Sequence, residues 1–245
     1  MIDLFRLADP DMSKEGFFFK KGELQLRKLF LLMFLMEIAI FIIISSLPLK
    51  DPALYNQFKQ QQSSITTLPL LQMIFSIFPH NLEVATLEIV PILGQFFYIL
   101  SAVTTSLILA VEGTSNGTLG IVYFLGLALL PDTWIELPSY AVTSSTGIYL
   151  LYFLIKKRSQ MRSRSKKILL NYAFAALELL IAATFESAAI IMETTYSSPY
   201  DLYGPLLLWI PAIAVIILLV FIYRRINKDE YHGYRIDDEQ NILIQ

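Results

Sequence analysis

Two carboxylates lie four residues apart in an otherwise apolar stretch, LLPDTWIELPSYAV, residues 129–142. Asp132 follows Pro131 and can accept hydrogen bonds from the free backbone N–H groups of the helix that starts there. Glu136 lies one turn later on the same face, and Pro138 costs little this early in a helix. The pattern fits a broken helix that builds a transporter site, a carboxyl pair that shares one proton, or a plain cap with Glu136 bonded to a neighbouring helix.

A second set of acids lies on one apolar run, at Glu178, Glu186 and Glu193. Steps of eight and seven residues return to within about 80° and 20° of the starting direction on a helix, so the three share one face. A carboxylate in hydrocarbon costs roughly 3 kcal/mol or more, and such groups face a protein interior or a wet cavity. The stripe indicates either a proton or cation path, or a polar seam that holds another helix close, which small residues such as Ala175, Ala176, Ala183 and Ser187 allow.

The composition indicates that these acids lie in a membrane protein. Of 245 residues, 55% are apolar and 16% are charged, against about a quarter charged in an ordinary soluble domain. No segment outside the apolar runs is long enough to bury a soluble core. The chain has no cysteine, and its two histidines, His80 and His232, lie far apart. This excludes thiolate chemistry and disfavours zinc; we expect no metal, no other cofactor and no nucleic-acid partner.

The apolar runs predict an all-α, polytopic membrane bundle of about six transmembrane helices. They cover about residues 29–47, 81–111, 118–130, 133–155, 168–192 and 205–223. The third run has only ~13 residues, or about 20 Å of helix, so this helix is short or broken and ends in a Pro-Asp/Glu-Leu-Pro corner. Residues 70–79 end at Pro79 and are expected to lie along the membrane interface.

Basic residues predict the orientation. The segment KKRSQMRSRSKK, residues 156–167, carries seven Lys or Arg and no acid. With six crossings, this loop and the two tails, 1–28 and 227–245, fall on the cytoplasmic side of a transmembrane region at 29–226. We therefore expect a multi-pass protein of the plasma membrane with both termini inside the cell. Its expected partners are the lipid bilayer and either further copies of the chain or other membrane proteins.

Two further placements follow from this topology. The turn EGTSNG, residues 112–117, falls on the cytoplasmic side, so Asn116-Gly117-Thr118 is interpreted as a turn rather than as a glycosylation acceptor. Glu83 and Glu88 fall near the outer surface, where water can reach both carboxylates.

Four separate stretches together resemble the stage II sporulation protein M family. They are FPHNLEVATL, EGTSNGTLG, LLPDTWIELPSYAVTSSTGIYL and LELLIAATFESAAI, in this order along the chain. The positions that match the family's pattern are Asn81, Leu82, Asn116, Gly117, Pro131, Glu136, Leu137, Pro138, Ala182, Ala183 and Glu186. The departures are Asp132, Thr133 and Ser139, which stand where the family has His, Gly and Ala.

The resemblance covers about residues 75–190 and implies a membrane scaffold, a non-enzymatic subunit that holds partner proteins. The Cys-free, Ile- and Tyr-rich composition hints at an archaeal source, for which a sporulation role is not expected. The alternative is a transporter or channel-like protein that uses Glu136, Glu178 and Glu186. An intramembrane hydrolase is disfavoured, because His80 has no paired ligand set and no evident nucleophile beside it.

Overall fold

The computed structural model describes residues 17–20 and 23–228, and this part of the chain is predominantly helical. The predicted all-α class is confirmed at this level; residues 1–16 and 229–245, with His232, lie outside the described residues. Two two-residue strands, β1 (Phe19–Lys20) and β2 (Glu23–Leu24), pair before the first helix. The helices that follow are α1 (Leu26–Ser45), α2 (Pro52–Thr66), α3 (Leu70–Glu88), α4 (Leu93–Ser115), α5 (Gly120–Ala128), α6 (Thr133–Lys156), α7 (Met161–Thr195), α8 (Tyr200–Tyr203) and α9 (Trp209–Ile226).

Several of these helices are long and apolar enough to cross a bilayer. Within the described residues, four segments qualify: α1, α4, α7 with the 3-10 turn before it, and the α8–α9 segment. The pair α5–α6 is a fifth candidate, bent by 96° at the predicted proline corner. Only 11% of the most apolar window in the α8–α9 segment is buried, which leaves a large apolar surface of the kind that contacts lipid or another protein. The number of six spans stays a prediction.

One end of the bundle collects the basic segments. Arg27, in the first turn of α1, donates a hydrogen bond of 2.9 Å to the carbonyl oxygen of Arg224 in α9. Asn171 of α7 and Asn227 after α9 are both buried and exchange side-chain amide hydrogen bonds of 3.2 and 2.8 Å. The start of α1, the α6–α7 loop and the end of α9 therefore share what we call the basic end. The side of the membrane on which this end lies, and with it the cytoplasmic position of both termini, stays a prediction.

The predicted bounds of the second span are wrong. Helix α3 continues through Pro79 to Glu88, so residues 70–79 are not a separate interfacial segment. The chain then turns at residues 89–92 before α4 begins. Pro91 and Gly94 in the apolar run 81–111 predict one bent helix. In the structure this run divides between α3 and α4, which form a helical hairpin.

Close backbone contact makes the hairpin turn possible. A Cβ at Gly94 would collide with the carbonyl oxygen of Glu88. Ile92 has φ of 71°, and it lies between the carbonyl of Pro91 and the N–H of Leu93, which are hydrogen-bonded at 2.9 Å. This is a γ-turn of the rare positive-φ kind, which is strained for a β-branched residue. Neither contact is encoded in hydropathy, so the pattern of apolar residues could not reveal the turn.

Helix α4 runs parallel to α1. Tyr98, near the start of α4, donates a hydrogen bond of 2.8 Å to the carbonyl of Met33 in the first half of α1. Leu109, near the end of α4, packs in the same cluster as Phe41 in the second half of α1. The C-terminus of α4 therefore lies at the end of the bundle opposite the basic end.

An ion pair confirms this direction for α4. Lys59 Nζ of α2 lies 2.6 Å from Glu112 Oε1, in the last turn of α4. Because α2 follows the far end of α1, residues 112–117 lie away from the basic end, and the prediction that placed them with the basic segments is wrong. This error and the wrong bounds of the second span have one cause. Helix α3 is an additional long helix, and it reverses the direction in which α4 runs.

Two glycines bring α4 and α5 into backbone contact at this far end. A Cβ at Gly113 would collide with the backbone nitrogen of Gly120, and a Cβ at Gly120 would collide with the carbonyl oxygen of Leu109. Around Gly126, further along α5, no atom lies within 4 Å of the corresponding position. The α4–α5 turn is thus tight because both positions lack a side chain.

Replacing Gly120 with alanine should lower the free energy of unfolding by about 1–3 kcal/mol, because the added methyl group overlaps the backbone of α4. Gly126→Ala is the matched control: it is the same change in the same helix, and it should be neutral or slightly stabilising. Thermal unfolding of the purified protein in detergent measures both. Equal melting temperatures for the two variants would contradict the close approach of α4 and α5.

Candidate functional site

A cavity of about 390 Å³ lies between α2, α3, α6 and α7. Two carboxylates line it, Glu136 from α6 and Glu186 from α7. The rest of the lining is polar and aliphatic: Gln61, Ile65, Ser76, Ile77, His80 and Asn81. The structure therefore brings together two of the four acids predicted from the sequence, and it adds side chains from two further helices.

Glu136 is held by two donors on one oxygen atom. Asn81 Nδ2 of α3 donates to Glu136 Oε1 at 3.2 Å, and Tyr140 Oη donates to the same oxygen at 3.0 Å. Both bonds fix the carboxylate where α3 and α6 meet. Two positions of the family resemblance, 55 residues apart in sequence, are thus in direct contact.

Glu186 has no such support from the protein. No described residue donates a hydrogen bond to its carboxylate, and no Lys or Arg of the described residues lies within 4 Å of Glu186 or Glu136. Each of these carboxyls therefore either holds a proton or, when ionised, carries a negative charge that no described Lys or Arg within 4 Å neutralises. In a site of low dielectric constant, such charge favours binding of a proton or a cation.

Asp132 is buried at the α5–α6 corner, at 5% exposure, but its side chain does not cap α6. Its backbone is helical, with φ −57° and ψ −42°, whereas a capping side chain needs an extended residue to reach the free N–H groups. Asp132 Oδ1 has no hydrogen-bond partner, and the residue does not line the cavity. The predicted cap is therefore wrong, and the structure contains no direct bond between Asp132 and Glu136.

The three acids of the α7 stripe have different surroundings, and Glu193, near the end of the helix, is exposed. Glu186 lines the cavity, whereas Glu178 is buried at 5% exposure elsewhere on the helix. Glu178 Oε2 has no hydrogen-bond partner. The buried hydroxyl of Tyr223 on α9 also has none, although it is close enough to interact electrostatically with Glu178. The structure thus separates Glu178 from Glu186 and does not join them in one path.

The remaining motif residues build the corner and the turn. Leu137 packs with Phe41 and Phe124, and Pro131, six residues earlier, is fully buried. Pro138 is the sixth residue of α6 and lies inside the helix, where it cannot donate the usual hydrogen bond to the carbonyl of Trp134. Asn116 donates its side-chain amide to the carbonyl one turn earlier in α4, at 2.9 Å, and Gly117 has φ of 78°. These contacts are structural.

Sequence reasoning missed a second polar cluster. Glu88 is fully buried, not wet, and it accepts hydrogen bonds from Ser101 at 3.1 Å and Thr143 at 3.0 Å. Glu37 of α1 is buried at 3% exposure and accepts a bond of 3.0 Å from Tyr98. As the one acid within α1, Glu37 could have been noticed in the sequence. The burial of Glu88 depends on the hairpin turn and could not.

Comparisons with protein-family models, with curated proteins and with solved structures find no match to this chain. Within the described residues, no group of three His, Asp or Glu is arranged to hold a metal ion. The chemistry of the cavity must therefore be argued from its own geometry: two carboxylates, one of them anchored, beside other polar groups and an aliphatic wall.

Helix α2 forms the outer wall of this cavity. It contributes Gln61 and Ile65 to the lining, yet none of its own residues is buried. Its attachment to the bundle includes the ion pair of Lys59 with Glu112, whose side chain is 8% exposed. The hydrogen bond to Glu112 raises the pKa of Lys59 above its usual value. The stabilisation that this pair contributes is therefore present at neutral pH and is lost as pH rises through the raised pKa.

Removing this pair should loosen α2 and expose the cavity. The chain has no cysteine, so Ile77→Cys introduces a single thiol at a buried position of the cavity wall. We expect Lys59→Met to increase the rate at which a membrane-impermeant thiosulfonate labels this thiol by roughly two- to fivefold. A change of this size in the opening equilibrium corresponds to the loss of one partly exposed ion pair. Lys50→Met, an exposed residue just before α2, is the control. If both variants label at the same rate, the pair does not hold the wall in place.

Proposed function

We propose that this chain is a multi-pass protein of the plasma membrane that binds a cation in the cavity and passes it across the bilayer. The observation that carries the proposal is the exposure of Glu136 and Glu186 to one cavity with no basic side chain within ion-pair distance among the described residues. Interior carboxylates of membrane proteins commonly serve ion or proton pathways, because a passing cation compensates for their lost hydration.

The proposed orientation has the basic end in the cytoplasm and the cavity near the outer face. Its support is the clustering of Lys and Arg at one end, since short basic segments stay on the cytoplasmic side. We propose six crossings, made by α1, α3, α4, α6, α7 and α9, which puts both termini inside the cell. Helix α5, with nine residues or about 14 Å, is too short to cross.

Replacing Glu136 with glutamine should lower cation flux at least tenfold, because the anchored charge of the site is removed. Flux is measured in proteoliposomes under Na⁺, K⁺ and proton gradients, with protein-free liposomes as the baseline. Glu83→Gln is the matched control, since this glutamate of α3 is exposed and does not line the cavity. Absence of flux above baseline, or equal flux in both variants, would contradict transport.

A second candidate function is a non-enzymatic scaffold subunit, as the resemblance to the stage II sporulation protein M family implies. The observation that favours it is the direct bond between Asn81 and Glu136, because it shows a structural use for two separate family positions. In such a protein the corner would serve to shape a surface for partner proteins, and no solute would pass.

The scaffold reading predicts a stable assembly. Extraction of the full chain from its native membrane in a mild detergent should yield a complex with a stoichiometric partner or a defined oligomer, measured by light scattering and mass spectrometry. A monodisperse monomer with no associated protein would contradict a scaffold role, while it leaves transport by a single chain intact.

A further inference from the structure

We propose that the ligand of the cavity is an organic ammonium ion that carries N–H groups, such as a primary alkylamine or diamine. This inference rests on the proposed cation-binding function and specifies its substrate class. It follows from three properties of the cavity: its size, its aliphatic wall and the kind of polar atoms that line it.

The size of the cavity fits a small organic molecule. A volume of about 390 Å³ is far larger than the ~30 Å³ occupied by one water molecule, and it lies within the ~300–1,000 Å³ usual for small-molecule sites. A metal ion would instead need several oxygen ligands drawn together at about 2–2.6 Å. The described residues hold no such group of three His, Asp or Glu.

The walls match the two halves of an alkylamine. Ile65 of α2 and Ile77 of α3 present aliphatic surface, which a hydrocarbon chain would cover. Glu186, Glu136 and the side-chain oxygen of Ser76 are hydrogen-bond acceptors, and an ammonium group needs up to three of them. A carboxylate paired with N⁺–H forms a charge-assisted bond that is stronger than a neutral one.

The lining also discriminates between kinds of ammonium ion. A quaternary ammonium group has no N–H to donate and is bound mainly by aromatic rings. None of the side chains that line the cavity is Phe, Tyr or Trp. The site therefore favours primary and secondary ammonium ions over quaternary ones.

Titration calorimetry on the purified full-length chain in detergent tests the proposal with four probes: butylammonium, 1,4-diaminobutane, tetramethylammonium and Na⁺. We expect the two amines to bind at least tenfold more tightly than the other two. Glu186→Gln should weaken amine binding at least tenfold, and the exposed control Glu83→Gln should not. Equal affinity for tetramethylammonium, preference for Na⁺, or unchanged binding in Glu186→Gln would overturn the ligand class.

A second variant tests the proposal independently, in case Glu186→Gln does not fold. Ile65→Trp fills the cavity from α2, which buries none of its own residues, so the bundle should fold and amine binding should be lost. Retained binding in this variant would place the amine elsewhere and overturn the inference. Flux separates the two proposals: Glu136-dependent cation flux without amine binding overturns the ligand class alone, and amine binding without flux overturns transport alone.

Discussion

The cost of removing a carboxylate from water is the constraint on which the rest of this structure depends. A buried carboxylate needs hydrogen-bond donors, a proton or a cation to compensate for lost hydration. Glu88 receives two hydroxyl donors, one on each oxygen. Glu136 receives two donors on a single oxygen, and Glu186 receives none from the described residues. The acids thus range from internally satisfied to unpaired: Glu186 faces the cavity, whereas the unpaired oxygens of Asp132 and Glu178 belong to residues that do not line it.

The helical hairpin of α3 and α4 provides that arrangement. Its turn packs against α6 at Gly147, where a Cβ would lie 2.9 Å from the carbonyl oxygen of Ile89. This close approach sets the depth of α3 and so brings Asn81 opposite Glu136. The same hairpin buries Glu88 among hydroxyl groups. A backbone feature that needs small residues at two helices therefore positions polar side chains at two levels of one α6 face, where Glu136 and Thr143 lie seven residues apart.

The sequence predicted those features that local pattern determines. The apolar runs identified a helical membrane protein, the prolines identified the α5–α6 corner, and the basic residues identified a shared end of the bundle. The sequence could not divide the second run, because Pro79 is accommodated inside α3 while the actual turn depends on contacts at Gly94. It paired Asp132 with Glu136 by spacing, yet Glu186, 50 residues further along the chain, is the acid that shares a cavity with Glu136.

Transport and scaffolding make different demands on the same residues. A bond such as that from Asn81 to Glu136 serves either role, because it joins two helices whatever the protein does. Polar contacts that only join helices should be satisfied within the protein, as they are for Asn171 with Asn227. Glu186 departs from that pattern, since it lines a cavity beside Glu136 without a donor or a basic partner among the described residues. Ionising Glu186 beside Glu136 would cost a scaffold stability, whereas a cation site uses that charge, so the two proposals make opposite demands on this pair.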